Sequence, residues 1–513
     1  MKEGGRLAVN LAANIVAFIV QFGVNFLLTP YIVARLGSAA YGFVPIANNL
    51  IACVNILSAA LNSMASRFLT LETVRGDIDR AQTYFSSVFV SNTVLTLALV
   101  IPSVLVVRYV DVVMHVPDGM LADVRLSFAY ALLGMEVNLL FNVYGNVYYV
   151  TNRMELSAKR NIQGNALRAA VLVLLFAVFK PHIWYVTATT FVVTVFLCVT
   201  NIRQTHRLTP LMRIDLRRFS WKAVRTLLSS GIWNSINQLS TVLLVTLDVI
   251  MANALFGAVA GGEYSIVKTV PNFIQSFVGV LSGVFIPQFM AHYARRQRSL
   301  LLESIGFAVK VMAYMLMLPV GFLLSFGEDF FRLWVPGEDS SLLQGLSVLT
   351  LLPLLITCSI NPVYNVYTIT NRLKIPALVW LGFGVANVTF VVVIARCTDL
   401  GIWTIPLVSL VLGVARNITF TPVFAARCLG VPWHTFYASI ARGVACAAVM
   451  CLVCAGYRAL SIPVDSWGML LLAGCVCALV ACVVNVFVVF NRDERRRLLH
   501  LLSGSKRHER NAT

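Results

Sequence analysis

Charged residues are scarce in this 513-residue chain, where Asp, Glu, Lys and Arg together make up 12%, about half the share usual in a soluble domain. Acidic residues are the scarcest, 22 against 40 Lys and Arg, which leaves a net charge of +18. A Walker-type phosphate loop, a His-Glu-x-x-His pair and a Gly-x-Ser-x-Gly elbow are all missing. With them go the usual signatures of ATP hydrolysis, zinc proteolysis and serine-hydrolase chemistry. The expectation is a protein that is not an enzyme and carries no cofactor or metal. Strict alternation of apolar and polar residues is also missing, and with it the pattern of a membrane β-barrel. The longest external connections, roughly 108–120 and 327–341, leave no room for a soluble domain. Eleven cysteines are present, and Cys451 and Cys454 have metal-ligand spacing. Yet six of the eleven (Cys446, Cys451, Cys454, Cys475, Cys477 and Cys482) lie in the last two apolar segments with no His among them, a pattern of small packing residues.

What is abundant is apolar sequence, 58% of the chain. About fourteen segments, from 7–34 through 263–290 to 467–490, reach the roughly 20 apolar residues that a membrane-crossing helix needs. The fold class expected is an all-α polytopic membrane protein. With the N-terminus inside, cytoplasmic connections hold 28 of the 40 basic residues. External ones hold six (Arg35, Arg108, Lys180, Arg332, Arg396 and Arg458), and the spans the other six. This asymmetry predicts a multi-pass protein of the cell membrane with both termini cytoplasmic. The heaviest basic clusters, Arg203 to Arg225 and Arg492 to Arg510, are expected to meet anionic lipid headgroups rather than nucleic acid. The first apolar run follows Lys2 and Arg6 like a signal peptide, but it is too long for one and has a counterpart at 226–255.

The chain nearly repeats itself. Asn146-Val147-Tyr148-Tyr149-Val150-Thr151-Asn152-Arg153 returns 219 residues later as Asn365-Val366-Tyr367-Thr368-Ile369-Thr370-Asn371-Arg372. Leu36-Gly37 with Tyr41 answers Phe256-Gly257 with Tyr264, and Arg67-Phe68 falls opposite Gln288-Phe289. Six spans, a basic linker, six spans and two unmatched spans give residues 1–215 as an N-terminal lobe, 216–430 as a C-terminal lobe, and 431–513 as two further helices with a basic tail. Paired halves of this kind are a mark of secondary transporters, whose substrate paths lie at the repeat interface. Prolines inside many spans, among them Pro30, Pro45, Pro271, Pro353 and Pro362, remove backbone hydrogen bonds and allow bending.

Polar stripes recur on the first two helices of each half: Asn10, Asn14, Gln21 and Asn25; Asn48, Asn55, Asn62 and Ser66; Asn234, Asn237, Gln238, Thr241 and Asp248; Lys268, Asn272, Gln275 and Ser276. Such faces cannot meet lipid, so they either bond between helices or line a water-filled cavity. Four stripes at matching positions favour the cavity. Charges within the spans are Arg125, Glu136, Arg168, Asp248, Lys268, Lys310, Arg416 and Arg442, each costing at least about 3 kcal/mol at mid-membrane on insertion scales. Arg125 and Arg442 lie near helix ends and snorkel. Asp248 and Lys268 are placed to pair, as are Glu136 and Arg168. That leaves Lys310 and Arg416 without an acidic partner in the membrane and predicts an anion site. Arg416, Lys268 and Lys310 are its candidates, with Arg168 behind them, and Arg416 leads because its guanidinium holds phosphate in a fork. Asp248, with Glu136 behind it, is the candidate for coupling to H+ or Na+.

Arg35-Leu36-Gly37-Ser38-Ala39-Ala40-Tyr41-Gly42 resembles the Leu-Gly-x-x-x-Tyr-Gly turn of the Wzx-type oligosaccharide flippases, and Thr370-Asn371-Arg372-Leu373-Lys374-Ile375-Pro376 is also similar to theirs. Those proteins belong to the multidrug/oligosaccharidyl-lipid/polysaccharide (MOP) superfamily. The resemblance implies transport of a polyprenyl-diphosphate-linked oligosaccharide to the outer leaflet by alternating access, in surface polysaccharide biosynthesis. Fourteen spans are similar to the lipid II branch, but that branch relies on arginines in its first two helices, which here carry amides, with Lys268 the one matching cation. A surface-polysaccharide or teichoic-type precursor is therefore favoured over lipid II. The alternatives are a MATE-like cation or drug antiporter, for which the acids are too few, and a non-transporting scaffold for glycosyltransferases.

Overall fold

The structure, a computed structural model, describes the backbone of residues 3–370 and 372–489, and side chains from residue 16 onward except at Val113, Val284, Pro287 and Ala294. The side chain of Asn14, one of the expected cavity amides, lies outside the described residues, as do Asn371 and the tail Arg492 to Thr513. Helices dominate, with no strand among the described residues. The long ones, in chain order, are α1 (Glu3–Leu36), α2 (Ser38–Val74), α3 (Ile78–Arg108), α4 (Leu121–Val150), α5 (Met154–Val178), α6 (Trp184–Leu208), α7 (Trp221–Phe256), α8 (Ala258–Ala294), α9 (Arg298–Trp334), α10 (Ser340–Ile369), α11 (Lys374–Cys397), α12 (Gly401–Leu429), α13 (Tyr437–Ala459) and α14 (Trp467–Val489). Thirteen of these satisfy length and hydropathy for a membrane span, and the expected eighth span, 263–290, falls inside α8. The protein is an all-α, multi-pass membrane protein.

Repetition in sequence becomes repetition in backbone. Both α1 and α7 end at a glycine with positive φ, Gly37 at 83° and Gly257 at 93°, where any other residue would be strained. Each glycine N–H closes its helix on the carbonyl four residues back, Val33 at 2.8 Å and Asn253 at 2.9 Å. The helices that follow, α2 and α8, are both 37 residues long, about 55 Å at 1.5 Å per residue. The repeated tyrosine motif also ends both of its helices alike. Arg153 N–H bonds Tyr148 O at 2.9 Å and Arg372 N–H bonds Tyr367 O at 2.9 Å, the six-to-one closure of a Schellman end. From these ends Tyr148 Oη donates to Asn201 Oδ1 on α6 at 2.9 Å, and Tyr367 Oη donates to the Thr421 carbonyl on α12 at 2.9 Å.

The chain divides into two compact units. The first holds residues 1–269, 335–338 and 373–409. In it α2 packs against α7 and α3, α4 against α6, α1 against α5, and α7 against α11. Close approach comes from missing side chains, the usual device where helices meet in lipid. A Cβ on Gly231 of α7 would stand 1.9 Å from the Ala60 carbonyl oxygen of α2, and one on Gly42 would stand 2.8 Å from Gly262 Cα. Gly42 and Gly262 are 220 positions apart, so α2 and α8 cross at equivalent points of the repeat. The second unit holds residues 270–334, 339–372 and 410–513. There α9 packs against α10 and α13, with α14 on α13 and α9. The two helices without repeat partners thus cover one face of α9, where Gly321 leaves room for Met450. Arg332 and Arg458 both reach Asp329 at one end of this group, at 3.0 and 2.7 Å.

Candidate functional site

Three of the charges expected within spans, Asp248, Lys268 and Arg168, lie in two corners of the first unit, at equivalent positions of the repeat. In the C-terminal half, Asp248 of α7 is fully buried, and Lys268 of α8 is 8% exposed. The expected pair forms, with Lys268 Nζ donating to Asp248 Oδ2 at 2.9 Å. Asn387 of α11 donates to the other carboxylate oxygen at 3.4 Å and to the Leu243 carbonyl at 3.3 Å, and Ser409 Oγ donates to Asn387 Oδ1 at 3.2 Å. Leu243 belongs to a π-helical turn, Val242–Thr246, in which carbonyls lose their usual i+4 donors. Asn387 therefore serves both the carboxylate and a carbonyl of the widened turn. The Tyr264 ring lies 5.7 Å from Lys268 Nζ and closes this corner.

The corresponding corner of the N-terminal half is built from α1, α2 and α5. Arg168 stands 219 positions before Asn387, and Leu28 and Asn48 stand 220 before Asp248 and Lys268. Arg168 Nη1 donates to Asn25 Oδ1 at 2.9 Å, while its Nε is buried without a hydrogen-bond partner among the described residues. Tyr41 of α2 lies nearby and exchanges a hydrogen bond with Thr29 of α1 at 3.1 Å. No described carboxylate pairs with Arg168. The pairing of Glu136 with Arg168 expected from sequence is thus corrected. Glu136 lies on the Leu121–Phe141 stretch of α4, which packs against α6, α3 and α2, whereas α5 packs against α1 and α6 and meets α4 at its Val147–Val150 end. One carboxylate oxygen of Glu136 is instead buried without a hydrogen-bond partner among the described residues.

Arg416 and Lys310 lie in the second unit. Arg416 opens a second π-helical turn, Arg416–Phe420, and its Nε donates to Asn417 Oδ1 at 3.4 Å. Asn417 is fully buried. It accepts from Tyr364 at 2.8 Å and donates to Thr357 at 2.7 Å. Lys310 is buried on α9, and both cations make further interactions within the protein. Arg125, at a helix end as expected, reaches Asp111 at 3.1 Å and the Arg108 carbonyl at 2.9 Å.

The amide stripes divide by role. Asn62 and Asn92 exchange reciprocal hydrogen bonds at 3.2 and 3.1 Å, and Asn234 donates to Ser63 across α2 and α7 at 3.1 Å. Asn55, Asn237 and Gln238 are half-buried, while Gln21, Asn48 and Asn272 are exposed. Sequence reasoning missed Asn387, Asn417 and Tyr364. The first was within reach, because the repeat offset that matches the tyrosine motifs sets Asn387 opposite Arg168.

The sequence pattern of the family described as "Polysaccharide biosynthesis protein" matches residues 7–293. A Bacillus subtilis protein described as "Uncharacterized membrane protein EpsK" is 27% identical over 494 residues, covering 96% of this chain and 97% of that one. Among solved structures, the lipid II flippase MurJ in an inward closed conformation superposes with a TM-score of 0.67 at 12% identity, over 96% of this chain and 100% of that chain. An inward-facing multidrug resistance MATE family transporter of the MOP superfamily gives 0.61 at 15% identity, over 82% and 98%. At such identities the structural likeness establishes the fold. The family pattern, spanning more than half of the chain, establishes kinship: this chain belongs to the polysaccharide biosynthesis protein family and has the MOP transporter fold.

Proposed function

We propose that this protein is a flippase that moves a polyprenyl-diphosphate-linked oligosaccharide from the cytoplasmic to the external leaflet for surface polysaccharide biosynthesis. It does so by alternating access between its two repeat halves, with both termini cytoplasmic. The observation that carries the reading is Arg168: a guanidinium within a membrane span, held by a neutral amide, with one N–H left for another acceptor. An unneutralised arginine in low dielectric attracts an anion strongly, and its fork fits a diphosphate oxygen pair. The exposed amides Gln21, Asn48 and Asn272 suit the glycan, since polar groups left open within spans need water or a hydroxylated ligand rather than lipid. Arg416 and Lys310 remain anion-binding candidates in the second unit.

An antiporter for cationic drugs would need an accessible carboxylate. Asp248 is fully buried on Lys268, so the anion reading is favoured. H+ or Na+ coupling through Asp248 would first have to displace that lysine. The test is lipid analysis of the native host after depletion, with rescue by wild type or by Arg168→Ala. Accumulation of a polyprenyl-diphosphate oligosaccharide with loss of surface polysaccharide, rescued by wild type alone, is the expected result. An unchanged lipid pool with altered cation or drug sensitivity would transfer the protein to the antiporters.

A further inference from the structure

The turns joining α2 to α3 and α8 to α9 are the same backbone with opposite chemistry. In the first, Gly76 takes φ 81°, and in the second, 220 positions on, Arg296 takes φ 56°. The hydrogen bonds match. Gly76 N–H bonds Thr73 O at 3.1 Å and Asp77 N–H bonds Glu72 O at 3.0 Å, while Arg296 N–H bonds Tyr293 O at 3.0 Å and Gln297 N–H bonds His292 O at 3.0 Å. Around the first turn acids balance bases, with Glu72 on Arg75 and Asp77 on Arg80, both at 3.2 Å. Around the second, His292 replaces Glu72, Gln297 replaces Asp77 and Arg298 replaces Ile78. No described carboxylate pairs with Arg295, Arg296 or Arg298.

The second turn borders a cavity of about 530 Å³ lined by His292, Tyr293, Arg296, Arg298, Leu301, Cys428 and Leu429. Arg298 Nη2 donates to the Gly430 carbonyl, which ties the start of α9 to the end of α12 and fixes one wall. His292 Nδ1 is 3.1 Å from Gln297 Oε1. Among the described residues Arg296 has no such anchor, and it is exposed. It occupies a left-handed conformation that glycine adopts freely and that other side chains resist. Its lining combines the cations Arg296 and Arg298 with the apolar Leu301, Cys428 and Leu429, and Tyr293 of the same lining is 45% exposed. α12, whose end lines it, has 29 residues, about 43 Å at 1.5 Å per residue, the thickness of a bilayer with its headgroups.

We infer that this cavity binds a phosphate group, carried by an anionic phospholipid whose glycerol and upper acyl carbons lie on Leu301, Cys428 and Leu429. Arg296 is the phosphate-binding side chain that the second half acquired where the first half keeps glycine. Cationic pockets between helix ends are the usual way in which membrane proteins hold such headgroups.

The test uses full-length protein in neutral detergent, titrated with short-chain phosphatidylglycerol, phosphatidylcholine of equal chain length, or inorganic phosphate, and read by tryptophan-fluorescence melting. Phosphatidylglycerol should raise the melting temperature saturably. Arg296→Gly should bind it about tenfold more weakly, the worth of one charge-assisted hydrogen bond, while melting no lower than wild type without lipid, because glycine suits the turn. Inorganic phosphate as effective as the lipid would keep the phosphate site and name free phosphate as its ligand. Phosphatidylcholine as effective as phosphatidylglycerol, or equal affinity in wild type and Arg296→Gly, would overturn the inference. The assay reads no transport, so its failure leaves the flippase reading standing.

Discussion

The two charged corners of the first unit occupy equivalent places in the repeat and have opposite electrostatic states. Where α7, α8 and α11 meet, Asp248, Lys268, Asn387 and Ser409 satisfy one another and no net charge remains. Where α1, α2 and α5 meet, a leucine stands opposite the aspartate, an asparagine opposite the lysine, and an arginine opposite Asn387. One corner is closed, its polar groups bonded to one another between helices. The other holds a cation with an open valence. Divergence of the repeat has left the N-terminal corner cationic and the C-terminal corner neutral, and at the turns the contrast is reversed, with Gly76 in the first half and Arg296 in the second.

Asp248→Asn should leave Lys268 as a buried charge without its carboxylate, at a cost of about 3–5 kcal/mol, read as a lowered melting temperature in detergent. The double change Asp248→Asn with Lys268→Met should recover most of the loss. If the double variant retains full, still ion-dependent transport, Asp248 is no coupling group. Arg168→Ala should reverse the pattern, with normal insertion and melting but transport down roughly 10- to 100-fold, the worth of one or two charge-assisted bonds. Normal transport there would remove Arg168 from the site and return the lead to Arg416, whose own Arg416→Ala should otherwise reduce transport as well. Gly262→Ala, whose Cβ would stand 2.1 Å from the Ser38 carbonyl oxygen, should cost about 1–3 kcal/mol of stability by overpacking. Gly279→Ala on the same helix has open space and should be silent in the same melting assay. Tyr148→Phe and Tyr367→Phe each remove one hydrogen bond, about 1 kcal/mol. Similar losses would show that the repeated motif does the same work twice.

The membrane class, the helices and the repeat were legible because each rests on local or periodic patterns. Twenty apolar residues must become a helix in lipid, and Gly37, Gly257 and the Thr-Asn-Arg ends announce where those helices stop. The Asp248 and Lys268 pair was legible for a related reason: adjacent helices of known depth bring the two to one level. The pairing of Glu136 with Arg168 failed because depth does not tell which helices are neighbours. The π-helical turns at Leu243 and Arg416 carry no composition of their own, and sequence showed the charge beside each but not the widened backbone.

The amino-acid sequence by itself thus determined that the chain spans the membrane as helices and is built twice over, since lipid leaves the backbone no alternative and a repeat is written residue by residue. Only the tertiary structure decided which buried charges cancel and which stay open. That choice turns on hydrogen-bond geometry of a few tenths of an ångström between helices far apart in sequence, and no pattern along one chain encodes it.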